Sequence, residues 1–261
     1  MNVEPNFKEC TMPNPFVKRL IVFCLMLLIL PTSTTLAASV VKDPVLTQII
    51  RTELKLSGKN ELKAADLKKM KSLYSLDAKR KISNLQGLEY AVNITELVLP
   101  GHKIKNINPL SKLTKINLLA LDGNQITDIS PISGLRNLES LLINDNQIKD
   151  LGPLKNLRNL TSLLAGGNQV SDLRPLQKMN LEWLSMDNNR IKDLTPLKNH
   201  PTLQHLYLQD NLIQDIAVLE TIPHLTEVYL GNNPLNEHAK QIVKDLEKNG
   251  VIVSLEIDKV D

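Results

Sequence analysis

The amino-acid sequence predicts an α/β fold: a right-handed solenoid with a parallel β-sheet on its concave side, 3-10 or irregular segments on its convex side, and helical caps at both ends. Three observations carry this expectation. Apolar residues recur at Ile94, Ile116, Leu138, Leu160, Leu181, Leu203 and Leu225, spaced 22, 22, 22, 21, 22 and 22 residues apart. Within each period a second apolar pair sits two residues apart, as at Leu141 and Ile143, which is the spacing of a strand with one buried face. The flanking segments carry helical spacing instead. A unit of this length cannot bury its own apolar face, so each unit must stack on its neighbour.

Residues 1–38 read as a secretion leader. Lys18 and Arg19 precede the apolar run Leu20–Leu30, then Pro31 and small residues lead to Ala37-Ala38-Ser39. The run is 11 residues long, short of the roughly 20 needed to cross a bilayer. The expectation is a secreted or loosely surface-associated protein with no membrane span once the leader is removed. Cys10 and Cys24 both fall in the leader, so a mature chain beginning at Ser39 is expected to hold no disulfide, thiolate nucleophile or cysteine metal site. That chain carries 28 basic and 26 acidic residues, a balance that gives no reason to invoke nucleic acid or an anionic membrane.

Residues 39–72 are expected to form the N-terminal cap. Val45, Leu46, Ile49, Ile50 and Leu54 lie at helical spacing, with Asp43 as N-cap and Pro44 at the first helical position. A turn at Ser57-Gly58-Lys59-Asn60 precedes a second short helix, about Ala64 to Lys71, that places Leu67 and Met70 on one face.

The solenoid is expected over residues 73–235, in about eight units. The first is irregular: it starts at Leu73, takes Leu76 and Ala78 as its strand, and brings Ile82, Leu85 and Leu88 one residue early. In the regular units positions 1, 4 and 6 point inward, and positions 11, 14, 17 and 20 return to the core, as at Ile148, Leu151, Leu154 and Leu157. Position 9 carries Asn124, Asn146, Asn168, Asn189, Asn211 and Asn233, with His102 in that place in the first regular unit. An interior asparagine offers two donors and an acceptor to backbone groups of adjacent turns, so the series reads as a structural ladder. Position 13 repeats Asp128, Asp150, Asp172, Asp193 and Asp215, mostly followed three residues later by proline. Those aspartates read as turn caps and not as a metal row, because no second ligand type recurs beside them. No metal and no other cofactor is expected.

Residues 236–261 close the stack. Ala239, Ile242, Val243 and Leu246 share a helical face, Asn249-Gly250 stops the helix, and Val251–Leu255 can add an extended segment.

Since the inward positions specify the fold, specificity falls to positions 2, 3, 5, 7 and 8 of the concave strands. There Leu118, Leu142, Leu164, Trp183, His205, Tyr207 and Tyr229 form an apolar and aromatic stripe, bordered by acids that include Asp187 and Asp210. An apolar centre with a charged rim has the anatomy of a protein interface. The same rings could serve a sugar, and a structural or self-associating role for the stripe is a further alternative. On this reading Trp183 and Tyr207 are exposed, so replacing them by alanine weakens capture without altering the fold. Catalysis is not expected. His205 near Asp187 and Asp210 is the closest approach to a site, yet it repeats no catalytic spacing and an open sheet desolvates an acid or base poorly.

The run Asn137-Leu-Glu-Ser-Leu-Leu-Ile-Asn-Asp-Asn-Gln-Ile-Lys-Asp-Leu-Gly-Pro-Leu resembles the 22-residue leucine-rich repeat of bacterial internalins and related secreted proteins. Ile82-Ser-Asn-Leu-Gln-Gly-Leu-Glu-Tyr resembles the junction between their helical cap and first full repeat. The resemblance spans about residues 44–250. It implies an extracellular recognition module of a Gram-positive bacterium with a protein ligand on a host or other cell surface. No immunoglobulin-like or wall-binding segment is seen after the repeats, so a freely secreted form is expected. Relatives share the core motif and differ on the concave face, so the resemblance does not name the partner.

Overall fold

The computed structural model describes residues 39–57, 61–76 and 79–256. The leader expected over residues 1–38, turn residues 58–60, Ala78 and the last residues of the C-terminal cap, 257–261, lie outside them.

Helix α1, Pro44–Glu53, starts as the sequence requires: Asp43 Oδ1 accepts from the N–H groups of Val45 and Leu46 at 2.9 and 3.1 Å. Its other oxygen accepts from Ser83 N at 2.9 Å and Asn84 N at 3.2 Å, so one buried carboxylate ties the helix to a loop 40 residues on. Leu46 and Ile50 are fully buried, while Val45, Ile49 and Leu54 are partly buried against the core. Helix α2 is shorter than expected, Ala64–Leu67, but Leu67 and Met70 are both buried.

Nine three-residue strands follow: β1 Ser72–Tyr74, β2 Glu96–Val98, β3 Leu118–Ala120, β4 Ser140–Leu142, β5 Ser162–Leu164, β6 Trp183–Ser185, β7 His205–Tyr207, β8 Glu227–Tyr229 and β9 Ile252–Ser254. They form one parallel sheet in sequence order. Side chains alternate across it, so position 4, from Leu73 through Leu97 and Leu141 to Val228, is fully buried on the inner face. Each chain return from β1 to β8 carries a 3-10 turn, as at Asn108–Leu110 and Thr195–Leu197. Proline falls near the start of five of them, where an N–H has no intrahelical acceptor to lose. The position-13 aspartates prepare the same turns: Asp128, Asp150, Asp172, Asp193 and Asp215 each accept the N–H two residues on.

The asparagine ladder is present with repeating geometry. Asn146 Oδ1 accepts from Ile126 N at 3.0 Å, and its amide donates to the carbonyls of Leu121, Ile143 and Asn144. His102 continues the ladder and does not merely fill its place. Its Nδ1 accepts from Ile82 N at 3.3 Å, the backbone group equivalent to those bound by the asparagines, and Nε2 lies 3.1 Å from Ser75 Oγ.

The first unit is corrected in register. Leu73 pairs with Leu97, so it occupies position 4 and not position 1. The strand is Ser72–Tyr74, and Leu76, expected inside, is 41% exposed. Ile82 still meets the ladder, so two extra residues are accommodated between strand and return segment relative to Leu97 and Ile104.

Helix α3, Ala239–Lys248, ends the stack with Ala239, Ile242, Val243 and Leu246 buried. Gly250 at φ 87° turns the chain, Val251 N returns to Leu246 O, and β9 pairs with β8.

Candidate functional site

Positions 3 and 5 of each strand face away from the core. On β6, β7 and β8 they hold Trp183 and Ser185, His205 and Tyr207, and Glu227 and Tyr229, paired in that order. Parallel strands stand about 4.8 Å apart, close to the thickness of stacked rings. The rings therefore pile along the sheet. Trp183 and His205 stack at 4.4 Å between centroids, Trp183 and Tyr207 at 5.3 Å, and Tyr207 and Tyr229 at 4.7 Å with 9° between planes. Glu227 holds the stack from the next strand: Oε1 lies 2.9 Å from His205 Nδ1 and accepts the Tyr207 hydroxyl.

The structure thus brings Trp183, His205, Tyr207 and Tyr229 together, with one correction. Trp183 is 6% exposed, because His205 and Tyr207 cover it; it is the floor of the patch and not its crest. Leu164 is buried as well, whereas Leu118 and Leu142 stay partly exposed. Ser185 interrupts position 5 between Leu164 and Tyr207, with Trp183 at position 3 of the same strand. Ser185 gives its hydroxyl hydrogen to Asp187 at 2.5 Å while His205 turns to Glu227, so the two are not paired as nucleophile and base.

The acidic border has its own local causes. Position 8 is left-handed throughout: Gly101, Gly123, Asp145, Gly167, Asn188, Asp210 and Asn232 have φ between 50 and 71°. Only glycine, asparagine and aspartate sit there readily, so the residue class of Asp210 is set by the backbone. At position 7, Asp122 Oδ1 accepts from Asn144 N at 3.0 Å and from the Asn144 amide at 2.8 Å, and Asn144 Oδ1 accepts from Gly166 N at 2.8 Å. Burial pushes the Asp122 carboxyl up to about 6. Asp145 is raised too, first by burial and then by the charge of Asp187. The two carboxylates crowd Gly166-Gly167, where an added Cβ would come 2.5 Å from Asp187 Oδ1 and 2.2 Å from Asp145 Oδ1.

Sequence reasoning missed Tyr74 and the two glutamates. Tyr74 on β1 donates to Glu96 on β2, the same diagonal that Tyr207 makes with Glu227, and burial followed by this bond raises its hydroxyl pKa. The signal was there: Met70, Leu73 and Ser75 sit at positions 1, 4 and 6, but serine at position 6 hides the pattern. Among the described residues no group of three or more His, Cys, Asp or Glu could hold a metal ion, and no helix is long and apolar enough to cross a membrane.

Comparison with known proteins fits this architecture. The family model for leucine-rich repeats in two copies matches residues 136–178 and 201–242. The structure is similar to internalin C2 of Listeria monocytogenes, at 31% identity and a TM-score of 0.73, over 85% of this chain and 100% of that one. It is also similar to internalin F of Listeria monocytogenes, at 28% identity and a TM-score of 0.62, covering 74% of this chain and 64% of that chain's length. The plant peptide hormone receptor RGFR1 in complex with RGF2 matches at 22% identity and a TM-score of 0.51, over 56% of this chain and 26% of that one, a likeness of fold alone. No curated protein matches the sequence. Fold and repeat define the class, a leucine-rich repeat solenoid with a concave parallel sheet. The chain belongs to the internalin-like leucine-rich repeat family.

Proposed function

We propose that this chain is a secreted, non-enzymatic recognition module that binds a protein on a host or other cell surface through the outward face of its sheet, centred on Tyr207 and Tyr229. The observation that carries the reading is the ring stack over β6 to β8. Aromatic residues make up only 3% of the chain, yet four of the rings, counting His205, gather outside the core. The bonds of Glu227 to His205 and Tyr207 hold them in place before a partner arrives, which lowers the entropy lost on binding. Partly exposed Leu118 and Leu142 extend the apolar area, and Asp187 and Asp210 stand at its edge. A sugar platform needs an open ring face, and Trp183, 6% exposed beneath His205 and Tyr207, offers none, which favours protein over glycan.

The test is capture by the purified full chain from host-surface and bacterial-envelope extracts, beside a Tyr207→Ala/Tyr229→Ala variant. A protein retained by the parent and lost by the variant, with circular dichroism unchanged, supports the reading. Equal retention by both, or a ligand found only on glycan arrays, overturns it.

A further inference from the structure

Charge on this solenoid is segregated in a way that the overall balance conceals. The strand segments of the seven regular units, 95–101, 117–123, 139–145, 161–167, 182–188, 204–210 and 226–232, contain no lysine and no arginine. They contain eight acids, two at each of four positions. Glu139 and Glu182 lead into the strands at position 2, and Glu96 and Glu227 lie on them at position 3. Asp122 and Asp187 follow at position 7, and Asp145 and Asp210 at position 8. Between the segments, from residue 102 to 225, the chain carries 13 basic and six acidic residues. Five of those six acids are the position-13 aspartates already bound to turn N–H groups. The whole chain sums to +3, while its sheet face carries only negative side chains over these units.

Resting on the proposed recognition role of this face, we infer that its partner presents a basic protein segment, rich in arginine and lysine. Carboxylates gathered on one face with no lysine or arginine among them focus a negative potential that draws and orients cations. The mutual repulsion of Asp145 and Asp187 is relieved when a cation lies between them. Partly exposed Tyr229, at the end of the ring stack, stands two residues from Glu227 on the same face, so an arginine meets aromatic surface and a carboxylate together, a pairing that a planar guanidinium uses better than an ammonium. Two groups on this face also lack partners. Trp183, 6% exposed, has an indole N–H with no acceptor, and Gln209 Oε1 has no donor. An acidic polymer or nucleic acid is repelled by the same field.

The test measures fluorescence anisotropy of an arginine-rich peptide, its neutral citrulline counterpart and a glutamate-rich peptide against the full chain, at low and high salt. The key variant is Asp145→Asn/Asp187→Asn/Asp210→Asn. Asparagine already occupies position 7 at Asn144 and position 8 at Asn188 and Asn232, so the fold tolerates it. The arginine peptide is expected to bind at least about tenfold more tightly than the citrulline peptide, to weaken with salt, and to lose about tenfold affinity in the triple variant. A control variant away from the face, Asp128→Asn/Asp150→Asn, should bind like the parent. Equal binding of the arginine and citrulline peptides, binding unaffected by salt, or equal losses in the triple and control variants overturns the inference. The two readings fail separately. If the captured partner depends on Tyr207 and Tyr229 but ignores salt and the triple variant, recognition stands and the cationic partner falls. If arginine-peptide binding survives Tyr207→Ala/Tyr229→Ala but not the triple variant, the cationic face stands and the ring-centred reading falls.

Discussion

Trp183 and His205 occupy paired positions on β6 and β7, and their rings stack with centroids 4.4 Å apart. The stack turns an outward residue into a buried one, so Trp183 works as support for the rings above it. Trp183→Ala is therefore expected to lower stability by about 2 kcal/mol, less than a deep core truncation because solvent can enter from the open side. Tyr207→Ala should cost roughly 1 kcal/mol and act chiefly on binding. Urea unfolding followed by tryptophan-independent circular dichroism checks both. Equal stability of parent and Trp183→Ala would show that the indole is not packed as described.

The ladder makes a sharper claim. Asn146→Ala strands Ile126 N–H and removes the donor shared by the carbonyls of Leu121, Ile143 and Asn144 in the interior. The expected cost is about 3 kcal/mol. His102→Asn restores the side chain used in every later unit and should stay within about 1 kcal/mol of the parent. The urea midpoints of the two variants rank them directly, and a loss at His102 as large as that at Asn146 would mean that the histidine does something an asparagine cannot.

Much of this fold was legible because its signals repeat. One leucine predicts little, but apolar residues, mostly leucine or isoleucine, at positions 1, 4 and 6 through seven units leave few alternatives, and the asparagine at position 9 in six of them fixes the register. The first unit was misread where repetition fails, at Ser75 and the two extra residues before Ile82, and Tyr74 was lost with it. The candidate face was only half legible. Alternation told which residues point outward, but not that strand spacing would stack Trp183 under its neighbours, nor that the left-handed turn alone selects the class of Asp145 and Asp210. Burial of outward residues depends on ring geometry between strands, which no single-unit pattern encodes.

Asp122 sets stability against charge. Its carboxyl is raised from 3.8 to about 6, chiefly by burial, so the folded chain binds a proton in a pH range where the unfolded chain has released it. Stability is then depressed above pH 6 and recovers as pH falls toward 4. Asp122→Asn keeps an acceptor for Asn144, as Asn144 itself does for Gly166, and removes the partly buried charge. At about pH 7 the variant should gain roughly 1–2 kcal/mol and lose this pH dependence, read as urea midpoints across the range. An unchanged midpoint at neutral pH would place the carboxylate in solvent.

His200 acts in the opposite sense. It takes position 20, filled elsewhere by Leu113, Leu135, Leu157, Met179 and Ile222, and it is 1% exposed with neither ring nitrogen meeting a hydrogen-bond partner. Burial lowers its pKa below 6.5. As pH falls through 6.5 the unfolded chain takes up a proton that the folded chain still refuses, so stability present above 6.5 is progressively lost toward the folded pKa. His200→Leu should remove that loss and add about 1–2 kcal/mol at neutral pH, because two orphaned polar atoms give way to the side chain used in neighbouring units. Since Asp122 and His200 bend the same curve in opposite directions, the comparison is made in the Asp122→Asn background. There the parent histidine should give a urea midpoint that falls from about pH 7.5 to about pH 5.5, and His200→Leu a flat one. A slope that persists after His200→Leu would place the acid sensitivity on another group.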